Sequence, residues 1–440
     1  VNSSTSDIPF LGRIPQSWRY ALGAISVLWI ATALGAGLAF VTQALLARKL
    51  GPAEFGLFAS SLATITMVAP LAAFGLPPYW LQLYGVEGWQ ANRWLRPSLR
   101  FITGSTLMTL SLVVVWAFTG APADARLILL LLLPVVLGIL ATSLISSQLR
   151  LEERHYALAT WQLMTPGSRM LVAVVLMLVP ALDSRAAAVG FSLISLLVAM
   201  LALPRLCAMM RGGIRLHGHG PRPAELTWGE SPSVARLWSQ AWAYGMEATL
   251  YPIFFQISTV LLKYLSGNAE AGIFGIALGI MMAIYLIPAT VYQKFLLSKF
   301  HRWAAHDQKK FWTVYRLGNI AMLASGVVVG LLLIVVAPWL VPIIFGEKYR
   351  PVVKVLVLLA VCVPIRFLST AMSSALLSER HMRYRVFAMG SSAVVVIACN
   401  AALIPLYHAM GAAAATVIGE ATLLLAMYLG LRRYHRHRTV

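Results

Sequence analysis

The sequence predicts an all-α polytopic membrane protein, with about 12 transmembrane helices in two six-helix bundles related by a parallel internal repeat. Three observations predict it. Hydrophobic residues make up 59% of the chain and charged residues 11%, with a mean hydropathy of +0.78. A soluble domain carries about a quarter charged residues. Apolar runs of membrane-spanning length recur from end to end, too many for core helices, and the alternating pattern of a membrane barrel is not visible. Finally, one charged, glycine-bearing turn occurs twice. Residues 45–58 read LLARKLGPAEFGLF and residues 261–274 read LLKYLSGNAEAGIF. Leu45, Leu46, Gly51, Ala53, Glu54, Gly56 and Phe58 recur as Leu261, Leu262, Gly267, Ala269, Glu270, Gly272 and Phe274, at a constant offset of 216 positions.

In chain order, residues 1–19 are polar and proline-bearing, which reads as a cytosolic tail and not as a cleaved signal. Apolar runs bounded by charge or turn residues then predict six helices over 20–48, 54–85, 98–119, 124–148, 155–182 and 185–210. These make an N-terminal bundle, 20–210. Residues 211–233, RGGIRLHGHGPRPAELTWGESPS, are rich in Gly, Pro and charge, as a linker should be. Six more helices over 234–262, 270–300, 311–337, 352–377, 381–405 and 411–431 make the C-terminal bundle, 234–431, and a basic tail, 432–440, follows. Six is an even number, so both halves enter the membrane from the same side. That makes them parallel repeats about an axis along the membrane normal, an arrangement used by transporters that rock two bundles around a central site.

The formal net charge of +20 is a topology signal. Roughly three times as many Lys and Arg fall on the N-terminal side of the predicted membrane as on the other, which puts both termini in the cytosol. The surplus also suits anionic inner-leaflet lipid, and no nucleic-acid partner is predicted. Cys207, Cys362 and Cys399 lie in or beside apolar segments without a CxxC pair, so neither a disulfide framework nor a metal site is expected, and no cofactor.

Within the repeated turn, Gly51 suits a strained backbone position, Pro52 a helix start, and Glu54 the positive end of that helix. Pro70, Pro77 and Pro78 in the second helix and Pro288 in the eighth interrupt equivalent spans and are candidate hinges.

The stretch ARKLGPAEFGLFASSLATITMVAPLAAFGLP resembles the first-hairpin signature of the bacterial polysaccharide (O-antigen type) flippases. These belong to the multidrug/oligosaccharidyl-lipid/polysaccharide exporter superfamily. FGEKYRPVVKVLVLLA, SSALLSERHMRYRVF and GAAAATVIGEATLLLAMYL are similar to the same family, so the resemblance covers most of residues 20–430. It implies a V-shaped pair of bundles in the bacterial inner membrane that flips undecaprenyl-diphosphate-linked oligosaccharides to the outer leaflet. The implied partners are that lipid-linked oligosaccharide, membrane lipid, and polysaccharide polymerase and chain-length proteins. No enzymatic role is implied.

Two Arg side chains fall inside predicted spans, Arg169 and Arg366. A charge at helix centre costs about 2.5–3.5 kcal/mol to insert, so such residues face a cavity or a partner. Arg169 lies roughly 21 Å into the fifth helix, with Gln162 and Thr165 on its face and Pro166 one turn before it. Arg366 heads Ser369, Thr370 and Ser373 in the tenth helix. Two readings are open: both guanidiniums hold the lipid-linked pyrophosphate, whose oxygens match a planar fork, or they pair with Glu247 and Glu420. Glu247 shares a face with Gln240, Tyr244 and Tyr251, an aromatic and amide surface suited to sugars. Glu247 and Glu420 are also candidates to accept a coupling proton. Arg48 and Lys263 flank the far end of the predicted cleft, either to receive the pyrophosphate after the flip or to snorkel to the interface.

Two rival functions remain. A membrane enzyme would need a motif such as GxxxxGK[ST], HExxH or a metal-binding aspartate pair, and none is present. A multidrug antiporter of the same superfamily is the nearer rival. A cation exporter would favour embedded carboxylates over arginines, and this chain carries two of each.

Overall fold

The computed structural model describes residues 16–216, 219, 230–290, 308–375 and 379–436, and among them it is helical with no strand. Residues 1–15, most of the predicted linker and the last four residues lie outside the described set. Once breaks in the long helices are counted, the described chain makes six membrane passes before the linker and six after it. The protein is therefore a multi-pass membrane protein with the predicted fold class.

The helix Gln16–Val68 is interrupted at Gly51, whose φ of 74° ends α1 (16–50) and begins α2 at 52. Its repeat counterpart Gly267, with φ 101°, separates α7 (Val234–Ser266) from α8 (Asn268–Thr290). Positive φ is cheap only without a Cβ, so both turns require their glycine.

The second pass was expected to be one helix over 54–85. It is instead broken twice. After 52–68 comes the short helix Pro70–Ala73; Phe74 and Gly75 then take left-handed conformations with φ of 37° and 71°, and Leu76–Glu87 resumes. Pro70, Pro77 and Pro78 lack the N–H that would carry the helical ladder across this stretch, and each sits in the first turn of the short helix that follows a break, where no such N–H is needed.

A 3-10 turn (Gly88–Trp94) leads to α3 (Leu95–Thr119). Next come α4 (Ala123–Leu131 and Pro134–Leu151), α5 (His155–Leu178) and α6 (Ser184–Met210). The carboxylate of Asp183 caps α6, accepting from the N–H groups of Arg185 and Ala186. In the second half, α9 (Gln308–Phe345) runs beyond its predicted end at 337, carrying Pro338 and Pro342 inside it. The pass α10 (Val352–Leu359 and Cys362–Ala375) bends by 42° ahead of Pro364. The helix Glu379–Arg436 is two passes, α11 (379–407) and α12 (409–436), parted at His408 with φ 52°.

The two copies of the repeated turn meet one another between the halves. A Cβ added to Gly56 would lie 1.7 Å from the Asn268 carbonyl oxygen, and one added to Gly272 would lie 2.4 Å from that of Pro52. These glycines let α2 and α8 touch backbone to backbone across the pseudo-two-fold axis. The paired glutamates serve their own bundles. Glu54 accepts from the Ser184 hydroxyl at the α5–α6 turn, and Glu270 accepts from the Ala409 N–H at 3.0 Å at the α11–α12 turn. Each turn is thereby tied to the far end of its own half, a role beyond complementing a helix dipole. The repeated turns lie on one face of the membrane protein; Gln16 and Arg436, where the described helices begin and end, lie on the other, called here the N/C face.

Candidate functional site

A cavity of about 320 Å³ lies midway through the molecule, between the halves. Its walls come from α1, α2, α5 and α6 on one side and α7 and α8 on the other. Many lining residues are repeat counterparts at the 216 offset: Gln43 and Thr259, Ala59 and Gly275, Leu62 and Leu278, Ala63 and Gly279. The cavity is thus built on the pseudo-two-fold axis. Gln43 reaches across it, donating to the Gly275 carbonyl at 2.9 Å.

Arg169 projects into this cavity from α5, beside Thr165 and Pro166. Pro166 has no N–H to give the carbonyl of Gln162, which frees an acceptor about two turns before the arginine. The guanidinium sits 4.7 Å from the centre of the Phe191 ring. Among the described residues it has no carboxylate partner, and its Nε is buried without a hydrogen bond. An arginine stays protonated in proteins, so this is a permanent, uncompensated charge at mid-membrane depth. Gln162 is half-buried on the same helix and is not among the residues lining the cavity.

Arg366 has a different setting. It pairs with Glu420 at 3.5 Å, and the two side chains are 11% and 0% exposed. Phe255, Tyr285 and Tyr251 surround its guanidinium, with ring centres 4.6, 5.6 and 5.8 Å away. All of these residues belong to the second half. The polar stripe below Arg366 turns inward to its own helix: the Ser369 and Thr370 hydroxyls donate to the Arg366 carbonyl at 3.1 and 2.8 Å. Arg366 does not line the central cavity. Of the two readings the sequence left open, the geometry of Arg366 is that of pairing with Glu420.

The face expected around Glu247 divides three ways. Glu247 pairs with Arg385 at 2.7 Å, Tyr251 joins the cage of Arg366, and Gln240 and Tyr244 reach the first half. There the Tyr79 hydroxyl donates to Gln240 Oε1 at 2.6 Å, and the Tyr244 hydroxyl to Gln82 Oε1 at 2.5 Å. Phe74 stacks on Trp238 at 4.6 Å, and Gly75 lies against the backbone of Tyr244, where a Cβ would approach to 2.2 Å. These contacts close the two halves together on the N/C side of the cavity.

A second closure seals the opposite side. Arg48 donates to the Ile343 carbonyl, and the Tyr349 hydroxyl donates to the Ala47 carbonyl at 2.9 Å. Lys263, only 6% exposed, places its Nζ 3.4 Å from Ser61 Oγ in α2. Trp116 donates to the Tyr264 hydroxyl at 3.1 Å, and Asn268 to Asp124 at 2.9 Å. Neither Arg48 nor Lys263 snorkels freely: both are built into the seam between the halves.

Sequence reasoning missed Gln43, Gln256 and Thr259 in the cavity wall. The signal was present for two of them, because the 216 offset that pairs the turns also pairs Gln43 with Thr259.

Residues 22–294 match the family model described as "Polysaccharide biosynthesis protein". No curated protein matches the chain. Among solved structures, it is similar to the lipid II flippase MurJ in an inward closed conformation, with a TM-score of 0.68 at 14% identity over 92% of this chain and 87% of that one. An inward-facing multidrug resistance MATE family transporter of the MOP superfamily gives a TM-score of 0.68 at 14% identity, over 92% and 96%. The eukaryotic MATE transporter AtDTX14 gives 0.63 at 13% identity, over 97% and 100%. The chain belongs to the polysaccharide biosynthesis protein family and has the fold of the MOP superfamily transporters.

Proposed function

We propose that this protein flips undecaprenyl-diphosphate-linked oligosaccharide repeat units across the bacterial inner membrane by alternating access, as a step in making a surface polysaccharide such as O-antigen, capsule or exopolysaccharide. The observation that carries this reading is the uncompensated Arg169 in the cavity between the halves. A mid-membrane cation without a carboxylate is costly unless the ligand brings the anion. A diphosphate does so, and the planar guanidinium fork matches its oxygens. Among the described residues no carboxylate lines the cavity, which disfavours a cationic drug as cargo.

Alternating access is supported by the two closures, which lie on either side of one cavity and are made of few polar contacts each. The N-terminal half (20–210) and the C-terminal half (234–431), joined by the linker 211–233, are the moving bodies in this reading. Both termini face the cytosol, as the bias in Lys and Arg indicates. On opening of the opposite face, Lys263 and Arg48 leave the seam and offer cationic groups to the departing diphosphate. Glu247 and Glu420 are the candidates for proton coupling.

The test is flipping in proteoliposomes, with lipid-linked oligosaccharide extracted from a host that lacks the gene. Purified protein should move the lipid between leaflets, and the host should lose its surface polysaccharide while lipid-linked units accumulate. Normal polysaccharide together with new sensitivity to cationic drugs would instead assign the protein to multidrug export. Single cysteines at position 93 should label from the cytosol and those at 185 and 348 from outside; the reverse pattern would invert the direction of transport.

A further inference from the structure

A second cavity, of about 400 Å³, lies between the halves near the N/C face. It shares no lining residue with the central cavity. Tyr244 in its wall precedes Gln256 in the central wall along α7, which places the two roughly 18 Å apart at 1.5 Å per residue. The wall is aromatic and amide in character: Tyr79 and Gln82 from α2, Gln240, Trp242 and Tyr244 from α7, and Arg383 from α11.

Three features separate this wall from an ordinary packing interface. The phenols of Tyr79 and Tyr244 lie 6.1 Å apart and tilted by 55°, so they present faces at an angle to each other. The two cross-half bonds are reciprocal, each half giving a phenol to the other half's glutamine. Arg383 is exposed and lies 5.9 Å over the half-buried Trp242. The carboxylate of Glu87, which also lines the cavity, is held by Arg93 and the Trp94 indole at 3.1 Å, so it adds no free negative charge.

We propose that this cavity is a glycan-reading vestibule. It takes the sugars of the lipid-linked substrate while Arg169 takes the diphosphate, and in that respect it rests on the function proposed above. Pyranose rings present apolar C–H faces that pack on Trp and Tyr, and hydroxyls that exchange hydrogen bonds with amides and phenols. Arg383 suits an acidic sugar in particular. A site for phosphate alone has no use for three aromatic rings, and a site for an apolar drug has little use for two glutamines, a serine and an arginine.

The same groups close this face, which gives glycan binding a consequence. Sugar hydroxyls that take the Gln82 and Gln240 amides compete with Tyr244 and Tyr79 for them. The glycan therefore favours the state in which these bonds are broken, and a ligand shifts an equilibrium only by its differential affinity for the two states.

The probe is the oligosaccharide released by mild acid from the host's own polyprenyl diphosphate pool, titrated calorimetrically into the full-length protein in detergent. Wild type should bind it, Trp242→Ala should bind at least tenfold more weakly, and Trp242→Phe should recover most of the affinity at an unchanged melting temperature. In parallel, inorganic pyrophosphate should bind wild type and fail to bind Arg169→Ala, while Arg169→Ala still binds the free glycan. Absence of glycan binding by wild type, or equal binding by Trp242→Ala, overturns the vestibule even if pyrophosphate behaves as expected. Glycan binding that depends on Trp242, with no pyrophosphate binding at Arg169, upholds the vestibule and overturns the diphosphate reading.

Discussion

Arg169 and Arg366 look alike in sequence and differ in the folded protein. Each interrupts a long apolar run, and each begins or ends a stripe of hydroxyl and amide side chains. In the structure, Arg169 faces a cavity shared by both halves, with the Phe191 ring against it and, among the described residues, no carboxylate partner. Arg366 is enclosed in one half, neutralised by Glu420 and wrapped by three aromatic rings. The contrast teaches that a mid-membrane charge is read from what neutralises it. The internal partner of Arg366 makes it a brace of the second bundle, whereas Arg169, with no carboxylate partner among the described residues, is the residue that the proposed function assigns to the anion. The two are also not repeat counterparts, since Arg169 sits on the fifth helix of its half and Arg366 on the fourth of the other.

The largest expected effect tests the brace. Arg366→Ala leaves Glu420 buried without a partner, at a cost of about 3–5 kcal/mol. Membrane accumulation and the apparent Tm of the detergent-solubilised protein should both fall sharply. Arg366→Met/Glu420→Met, which removes both charges, should restore most of the stability. A double variant as unstable as Arg366→Ala would show that the pair does more than neutralise itself.

The next effect tests the receptor. Arg169→Ala removes a mid-membrane charge that no carboxylate among the described residues compensates, so Tm should hold or rise slightly. Flipping should fall about 10–100-fold, the loss of charge-assisted hydrogen bonds of about 1.5–3 kcal/mol. If Arg169→Ala loses protein from the membrane as Arg366→Ala does, the comparison collapses and both arginines are structural.

A smaller effect separates charge from shape. Arg169→Lys keeps the cation and gives up the planar fork, so flux should recover to an intermediate level between Ala and wild type. Full recovery would mean that the cavity needs only positive charge.

The smallest effect concerns the repeated glutamates, whose contacts lie away from both arginines. In Glu54→Gln the amide oxygen still accepts from Ser184, so the loss should be about 1 kcal/mol or less. A thermal shift as large as that of Arg366→Ala would place the α5–α6 turn among the main supports of the first half.

Much of this molecule was determined by the sequence alone. Apolar runs long enough to span a bilayer can close their backbone hydrogen bonds only within themselves, so they must be helices, and their number and order follow. The repeat at an offset of 216 fixed the two-fold plan, and Gly51 and Gly267 fixed the turns, because backbone conformation there depends on the residue itself. The same offset makes Gln43 and Thr259 equivalent positions, and the structure places both in the wall of one cavity. The tertiary structure alone decided which polar groups meet. That Arg366 finds Glu420, that Glu247 finds Arg385, and that Tyr79 and Gln82 cross to α7 depend on the rotation of each helix about its own axis. In a membrane that rotation is set by packing between neighbouring helices and not by an apolar-to-polar gradient, because lipid and protein interior are alike apolar. A stripe of polar residues therefore announces that a helix face is covered, and only the assembled bundle says by what.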